Sequence, residues 1–226
     1  MNSASDRQAH LAPEALGIII LAGGQGKRML SELPKVAVLT EEMPLLWHVL
    51  ETAFALVPTI LTVVTGFKHE KVEELVRTHA KGASVHFAHQ MEQRGTGHAV
   101  QMAAEKFNAF AGTVLVLCGD VPLIRKETLE RLLAIHHGEK ASLSVLTLKA
   151  QTQSAYGRII RKGGLGAIEQ IVEARDCSSQ QQHLDEFNTG VYAVDSAFLF
   201  PAVKQLRDNN SQHEFYLTDI VAAAVK

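Results

Sequence analysis

"GIIILAGGQGKRML" (residues 17–30) decides how the rest of the chain is read. Residues 17–21 are a short apolar run with three consecutive isoleucines, the signature of a buried strand. Gly23, Gly24 and Gly26 follow, then Lys27 and Arg28, and Lys35 comes after Pro34. Two readings of this loop stand on the stretch alone: it holds a phosphate chain, or it is only a tight turn. Glycines permit positive φ and let backbone N–H groups approach an anion closely. A guanidinium and an ammonium beside them suit a triphosphate, which needs several donors and charge neutralisation. No Walker A register fits, and the G-x-G-x-x-G fingerprint has no match here.

Outward from this stretch, apolar β-branched runs alternate with longer amphipathic segments. Residues 60–65, 84–88, 113–117 and 142–148 read as further strands. Residues 44–56, 68–79, 96–107 and 126–136 carry helix-spaced apolar side chains. Strand then helix, repeated, predicts an α/β fold: a Rossmann-like, mostly parallel sheet with helices on both faces. The pattern changes after Tyr156. "YGRIIRKGGLGAIEQIVE" predicts a hairpin around residues 163–166, residues 188–194 one more strand, and residues 196–206 and 217–225 helices. The polar stretch 177–183 reads as an exposed loop. The expected organisation is a loose leader (1–16) and a single domain (17–226), with a nucleotide-binding half (17–155) and a small β-rich sugar-binding half (156–226).

Bulk composition narrows the classes. The 226 residues are 46% hydrophobic and 20% charged, ordinary for a globular chain that buries its own core. A formal net charge of -2 argues against broad nucleic-acid binding. Cys118 and Cys177 lack metal-ligand spacing and read as incidental thiols in a reducing compartment. The polar leader has no signal-peptide design, and no run approaches the ~18 apolar residues of a membrane span. A cytoplasmic protein is expected.

In open α/β sheets, ligands bind beyond the carboxyl ends of the strands. Two more stretches fall there. In "LCGDVPLI" (residues 117–124), Asp120 directly follows a strand and is a candidate Mg²⁺ anchor, since Mg²⁺ favours a few carboxylates plus water and substrate phosphates. The competing role, capping the helix near Lys126, is disfavoured by the spacing. In "HQMEQRGTGHAV" (residues 89–100), Gln90 and Gln93 offer paired donors and acceptors to a base's imide edge. Gly95 can present backbone groups closely, and Thr96 can cap the next helix. His98, alone on the first helical turn, is read as structural, with ligand contact as the alternative.

These three stretches, in this order, resemble the sugar-1-phosphate nucleotidyltransferases, and most of all the uridylyltransferase domain of the bifunctional GlmU proteins. That family's pattern, L-A-[AG]-G-x-G-T-R-M-x-S-x-x-P-K, is met by Leu21-Ala22-Gly23-Gly24-Gln25-Gly26, Arg28-Met29, Ser31 and Pro34-Lys35. "YGRIIR", "IVEARD", "NTGVYA" and "EFYLTDI" match later landmarks in order, so the resemblance covers about residues 17–224. It implies transfer of UMP from UTP to N-acetylglucosamine 1-phosphate, with Mg²⁺ as cofactor. Leu21, Ala22, Gly23, Gly24, Gln90, Gly95 and Thr96 would serve the nucleotide. Arg28 and Lys35 would hold the phosphates as catalytic cations, and Asp120 the metal. Gly157, Glu173 and Asn188 would bind the sugar.

Three departures accompany the resemblance. Lys27 stands where the family has Thr or Ser, and either reaches the β/γ-phosphates or faces solvent. The 226 residues do not include the G-V-N-N-R segment whose asparagine gives longer relatives a second Mg²⁺ contact. Nor do they include hexapeptide repeats, so no left-handed β-helix half and no acetyl-CoA chemistry are expected. The oligomeric state is left open. Rival readings are a different nucleotide and acceptor, such as dTTP with glucose 1-phosphate, or a nucleotide-sugar sensor without turnover.

Overall fold

The computed structural model describes residues 14–26, 33–80, 82–151 and 155–225. In chain order the elements are β1 (Leu16–Ala22), β2 (Leu39–Thr40), β3 (Met43–Pro44), α1 (Leu45–Ala55), β4 (Ile60–Thr65), α2 (His69–His79) and β5 (His86–His89). Then come α3 (Thr96–Ala103), β6 (Thr113–Cys118), α4 (Lys126–Gly138), β7 (Leu143–Lys149), β8 (Arg158–Arg161), β9 (Ile168–Val172), β10 (Glu186–Asp195), α5 (Ser196–Lys204) and α6 (Asp219–Ala224).

Eight strands form one sheet in the order β5-β4-β1-β6-β10-β8-β9, with β7 on the other side of β10. The first four are mutually parallel, as the strand–helix alternation predicts. β10 enters antiparallel beside β6, and β8 and β9 form the antiparallel hairpin expected after Tyr156. β10 is longer than its sequence signal. Residues 192–195 pair with β6, Phe187 pairs with Arg158 of β8, and β7 runs alongside from 186 to 194 with a bulge between Asn188 and Val191.

Side-chain alternation along β1 divides the core. Ile18 and Ile20 face α1, α2 and α4, packing with Leu46, Val49, Val72, Val76 and Leu129. Ile19 faces α3, α5 and α6, packing with Val100, Leu199, Val203 and Ile220. All three isoleucines are fully buried, each contributing about 1.5–3 kcal/mol relative to exposure. Among the described residues no helix is long and apolar enough to cross a membrane.

Some boundaries differ from expectation. The third strand starts at His86 and not residue 84, because pairing with β4 begins at Thr62 opposite His86 and continues to His89. The helix expected over 96–107 closes as α3, followed by a 3₁₀ turn (Ala104–Phe107) that buries Phe107 against Phe110 and Phe200. The β2–β3 hairpin was not foreseen: its turn puts Glu41 and Glu42 at φ 49° and 67°, where Asn-Gly is the usual signal.

A buried ion pair knits the antiparallel strands together. Arg161 of β8 donates from Nε to Glu186 Oε2 and from Nη2 to Oε1, both at 2.7 Å, and Thr147 Oγ1 of β7 donates to Oε1 at 2.7 Å. The guanidinium holds the Glu186 carboxyl at about 2, from an ordinary 4.5. A depressed carboxyl stabilises the fold fully above its unfolded pKa and loses that contribution as pH falls through the folded one. The span implies ~3 kcal/mol, and solvent reaching Arg161 brings the expectation nearer ~2 kcal/mol. Glu186→Gln should therefore lower the urea midpoint at pH 7, and its gap from wild type should shrink between pH 4.5 and 2. A gap independent of pH would refute the ion-pair account.

Candidate active site

The carboxyl ends of the parallel strands surround a cavity of about 290 Å³. Leu21, Gly23 and Gly24 reach it from the end of β1, Gln90 from just beyond β5, Gly95 and Thr96 from the start of α3, and Asp120 from just beyond β6. Lys35 enters from the 3₁₀ turn Lys35–Ala37. Gln93 lines it as well, so nine of the candidate residues singled out in the sequence share one space, and Ala22 lies buried next to them.

The β1 loop is tied to its neighbours through backbone carbonyls. Gly119 N–H donates to Leu21 O at 2.9 Å and Phe67 N–H to Gly23 O at 3.1 Å. Of the three loop glycines, only Gly26 adopts a positive φ (67°), and a Cβ there would meet Lys35 Cβ at 2.7 Å. Gly23 instead makes a close approach: a Cβ there would lie 3.0 Å from Gln90 Oε1, the end of a side chain. Lys27 and Arg28 lie outside the described residues.

Gln90 is held from both ends. Its main-chain N–H donates to Thr65 O at 2.7 Å. Its side-chain Nε2 donates to Gly95 O at 2.8 Å and faces His98 Nδ1 at 3.3 Å. A carbonyl can only accept, so Gly95 fixes the nitrogen on its side and turns Oε1 toward Gly23. The cavity is offered a fixed acceptor, which suits an imide N–H. His98 orients this amide, as the structural reading of that histidine has it.

Thr96 does not cap α3. Gly95 is the N-cap residue, without a side-chain cap bond, and Thr96 Oγ1 instead accepts from Leu217 N–H at 3.1 Å. The neighbouring backbone adds Gly97 N–H to Phe215 O at 2.8 Å and Phe215 N–H to Arg94 O at 2.7 Å. The Arg94 guanidinium lies 4.7 Å over the Phe215 ring. Residues 214–217 therefore brace the 94–97 segment. The sequence offered this segment only as a landmark, "EFYLTDI", and gave no sign that Glu214 lines the cavity. Thr96→Val leaves the buried Leu217 N–H without its acceptor, at an expected cost of ~1–3 kcal/mol. Thr96→Ser should restore the wild-type melting temperature, and equal losses in both variants would contradict this role.

Lys35 Nζ rests 2.5 Å from Asp120 Oδ2, with both side chains part exposed. A lone carboxylate facing an open cavity, with room for water and phosphate oxygens, is a donor set that fits Mg²⁺. Lys35 takes one oxygen of that carboxylate, so the two predicted charge centres are a single paired unit. Cys118 lies behind them, its thiol pushed up to about 12 by burial and by the Asp120 charge. It is therefore inert at neutral pH.

Gly157, Glu173 and Asn188 form a second group beside the cavity. Asn188 N–H donates to Gly157 O at 2.9 Å, and a Cβ on Gly157 would lie 3.5 Å from Glu173 Oε2. Burial raises the Glu173 carboxyl, opposed by a hydrogen bond from Thr218 Oγ1 at 3.1 Å. Asn188 spends its amide within the fold: Nδ2 donates to Tyr192 OH at 2.8 Å, and Oδ1 accepts from Gly190 N–H at 3.0 Å. Leu217 and Thr218, adjacent in sequence, thus touch Thr96 on the base side and Glu173 on the other.

Known proteins are similar to this chain in sequence and in fold. The chain is 42% identical over 207 residues to the "Bifunctional protein GlmU" of Geotalea daltonii and 42% identical over 204 residues to that of Streptococcus pyogenes serotype M12. These alignments cover 92% and 90% of the chain but 44% and 48% of the relatives, so the chain spans about half their length. A UDP-glucose pyrophosphorylase crystallised with UDP-glucose superposes with a TM-score of 0.75 at 17% identity, over 92% of this chain and 86% of that one. A putative glucose-1-phosphate thymidylyltransferase from Bacillus anthracis gives 0.72 at 20% identity, over 93% and 83%. At such identities these two structures speak for the fold alone. The nucleotidyl transferase family model matches residues 17–226, from the first residues of β1 through the last helix, and the chain belongs to that family.

Proposed function

We propose that the chain transfers UMP from UTP to N-acetylglucosamine 1-phosphate, giving UDP-N-acetylglucosamine and pyrophosphate. The observation that carries this reading is the convergence of Gln90, Gly95, Lys35 and Asp120 on one cavity at the strand ends. The GlmU relatives at 42% identity support the choice of nucleotide and sugar. The chain from Gly17 onward acts as a single cytoplasmic domain, its 17–155 half holding the nucleotide and its 156–226 half the sugar.

Gln90 Oε1 accepts the uracil imide N–H, while backbone groups of Ala22, Gly23 and Gly95 address the carbonyls on either side. Leu21 and Gly24 shape the floor of the cavity, and Thr96 keeps Gly95 in place. Gly157, Glu173 and Asn188 bind the sugar, with the Glu173 carboxylate accepting from hydroxyls and Asn188 offering the second N–H of the amide whose first goes to Tyr192. A phosphate oxygen of the sugar phosphate attacks the α-phosphorus in line. The new P–O bond forms as the bond to the β-phosphate's bridging oxygen breaks. The nucleophile is already an anion, so no base is needed. The obstacle is repulsion between two anions, which Lys35 and Arg28 reduce by fixed positive charge. Mg²⁺, held by Asp120, supplies further charge neutralisation when bound.

Pyrophosphate release, measured with UTP, dTTP, CTP and GTP against a panel of sugar 1-phosphates, tests the proposal. Turnover confined to UTP with N-acetylglucosamine 1-phosphate is the expected result. Preference for dTTP and glucose 1-phosphate would replace the substrates and keep the mechanism. Saturable UDP-sugar binding without turnover would replace the enzyme by a sensor.

A further inference from the structure

Between α2 and the end of β5, two imidazoles and a carboxylate meet. His69 and Glu73 stand one turn apart on α2, a spacing that places side chains together on one helix face. His89 ends β5, paired with Thr65 of β4. Glu73 Oε1 lies 2.7 Å from His89 Nε2 and 3.3 Å from His69 Nδ1, and the two rings are 4.9 Å apart. One ligand atom from each residue falls within 4.8 Å of the others, the only such group of three among the described residues. The other Glu73 oxygen accepts from Arg77 Nη2 at 2.8 Å.

We propose that His69, Glu73 and His89 bind a divalent transition metal of the zinc class. Ligands about 2.0–2.1 Å from a tetrahedral ion stand roughly 3.4 Å from one another, a spacing these atoms reach with small rotamer changes. Two nitrogens and one carboxylate oxygen favour zinc or cobalt over Mg²⁺, which prefers oxygen. Arg77 supplies the outer contact that fixes a ligating carboxylate. Its hydrogen bond engages Oε2 and leaves Oε1 to the cluster. The Glu73 side chain is 10% exposed while those of His69 and His89 are 32% and 48% exposed, so a buried anchor sits beneath an accessible mouth. Three ligands leave a fourth position for water. The residue after His89 is Gln90, so the bound ion would tie α2 to the strand end that presents the base-reading amide.

Cobalt(II) serves as the probe, because its visible absorption reports imidazole and carboxylate ligation. The full chain is titrated with Co²⁺ in excess Mg²⁺, which saturates oxygen-only sites, and Zn²⁺ is then added as competitor. One equivalent of Co²⁺ with tetrahedral-type bands, displaced by Zn²⁺, is expected. His69→Ala and His89→Ala should each weaken binding by about tenfold or more. Glu73→Gln also removes the charge paired with Arg77, so the two histidine variants, at more exposed positions, carry the test. Absence of a cobalt spectrum in the wild-type chain, or wild-type affinity in both histidine variants, would overturn the proposal. The readout is metal binding, so it stands or falls independently of nucleotidyl transfer.

Discussion

Asp120→Asn should lower the turnover number by about 10²–10³ and leave the thermal midpoint nearly unmoved. The size follows from removing one fixed charge where charge is concentrated in the transition state, ~2.7–4 kcal/mol of barrier. Two losses compound. On the proposed reading Mg²⁺ would lose its carboxylate, and Lys35 would lose the partner 2.5 Å away that holds its ammonium at the cavity. The stability expectation follows from exposure. The pair is part exposed, and exposed ion pairs contribute about 0–1 kcal/mol. Pyrophosphate release and thermal melting, run on the same preparation, separate the two expectations. Near-normal turnover would remove Asp120 from the metal site. A large drop in melting temperature would make it a structural residue instead.

Gly95→Ala should be the most damaging small substitution near the base. Gly95 sits at φ 103°, ψ 174°, and a Cβ there would lie 2.6 Å from Phe215 O and 2.9 Å from Glu214 Cβ. The backbone region alone costs about 1–3 kcal/mol for any other residue. The clash falls on backbone, which cannot swing aside. A loss of ~3 kcal/mol, about 6–12 °C in melting temperature for a chain of this size, is expected. The apparent KM for the nucleotide should rise with it, because Gly95 O also holds Gln90 Nε2. Gly138→Ala is the control: it lies in α4 with nothing within 4 Å of the added carbon, and should be neutral or slightly stabilising. Equal effects in the two variants would show that Gly95 has no special geometry.

The parallel part of the fold was legible because each strand there is a continuous apolar run with helix-period segments on either side. β1, β4 and β6 were read within a residue or two. β2 and β3 were not, since two-residue strands carry no periodicity and a Glu-Glu turn carries no turn chemistry. β10 was read short because a charged residue, Glu186, stands at its start and breaks the apolar pattern ahead of residue 188. Glu186 is buried by partners remote in sequence, Arg161 and Thr147, and Asn188 is held by the equally remote Gly157 and by Tyr192 of its own strand. The base side of the candidate site was equally legible. Strand-end position and glycine spacing are local signals, and they pointed to Gly23, Gln90, Gly95 and Asp120. The bracing of Thr96 by Leu217 and the contact of Thr218 with Glu173 join residues far apart in sequence, which no local pattern announces. Lys35 and Asp120 were found separately, and only the fold makes them a pair.

β10 reaches β6 with its last four residues and β8 with Phe187. A continuous beam of this kind denies the molecule a clamshell hinge at the junction of its parallel and antiparallel strands. Exchanging acceptor preference between relatives by cutting the gene at residue 155 would therefore sever a tongue from its groove. A working chimera would need β10 transplanted whole, together with the hairpin that answers its first half.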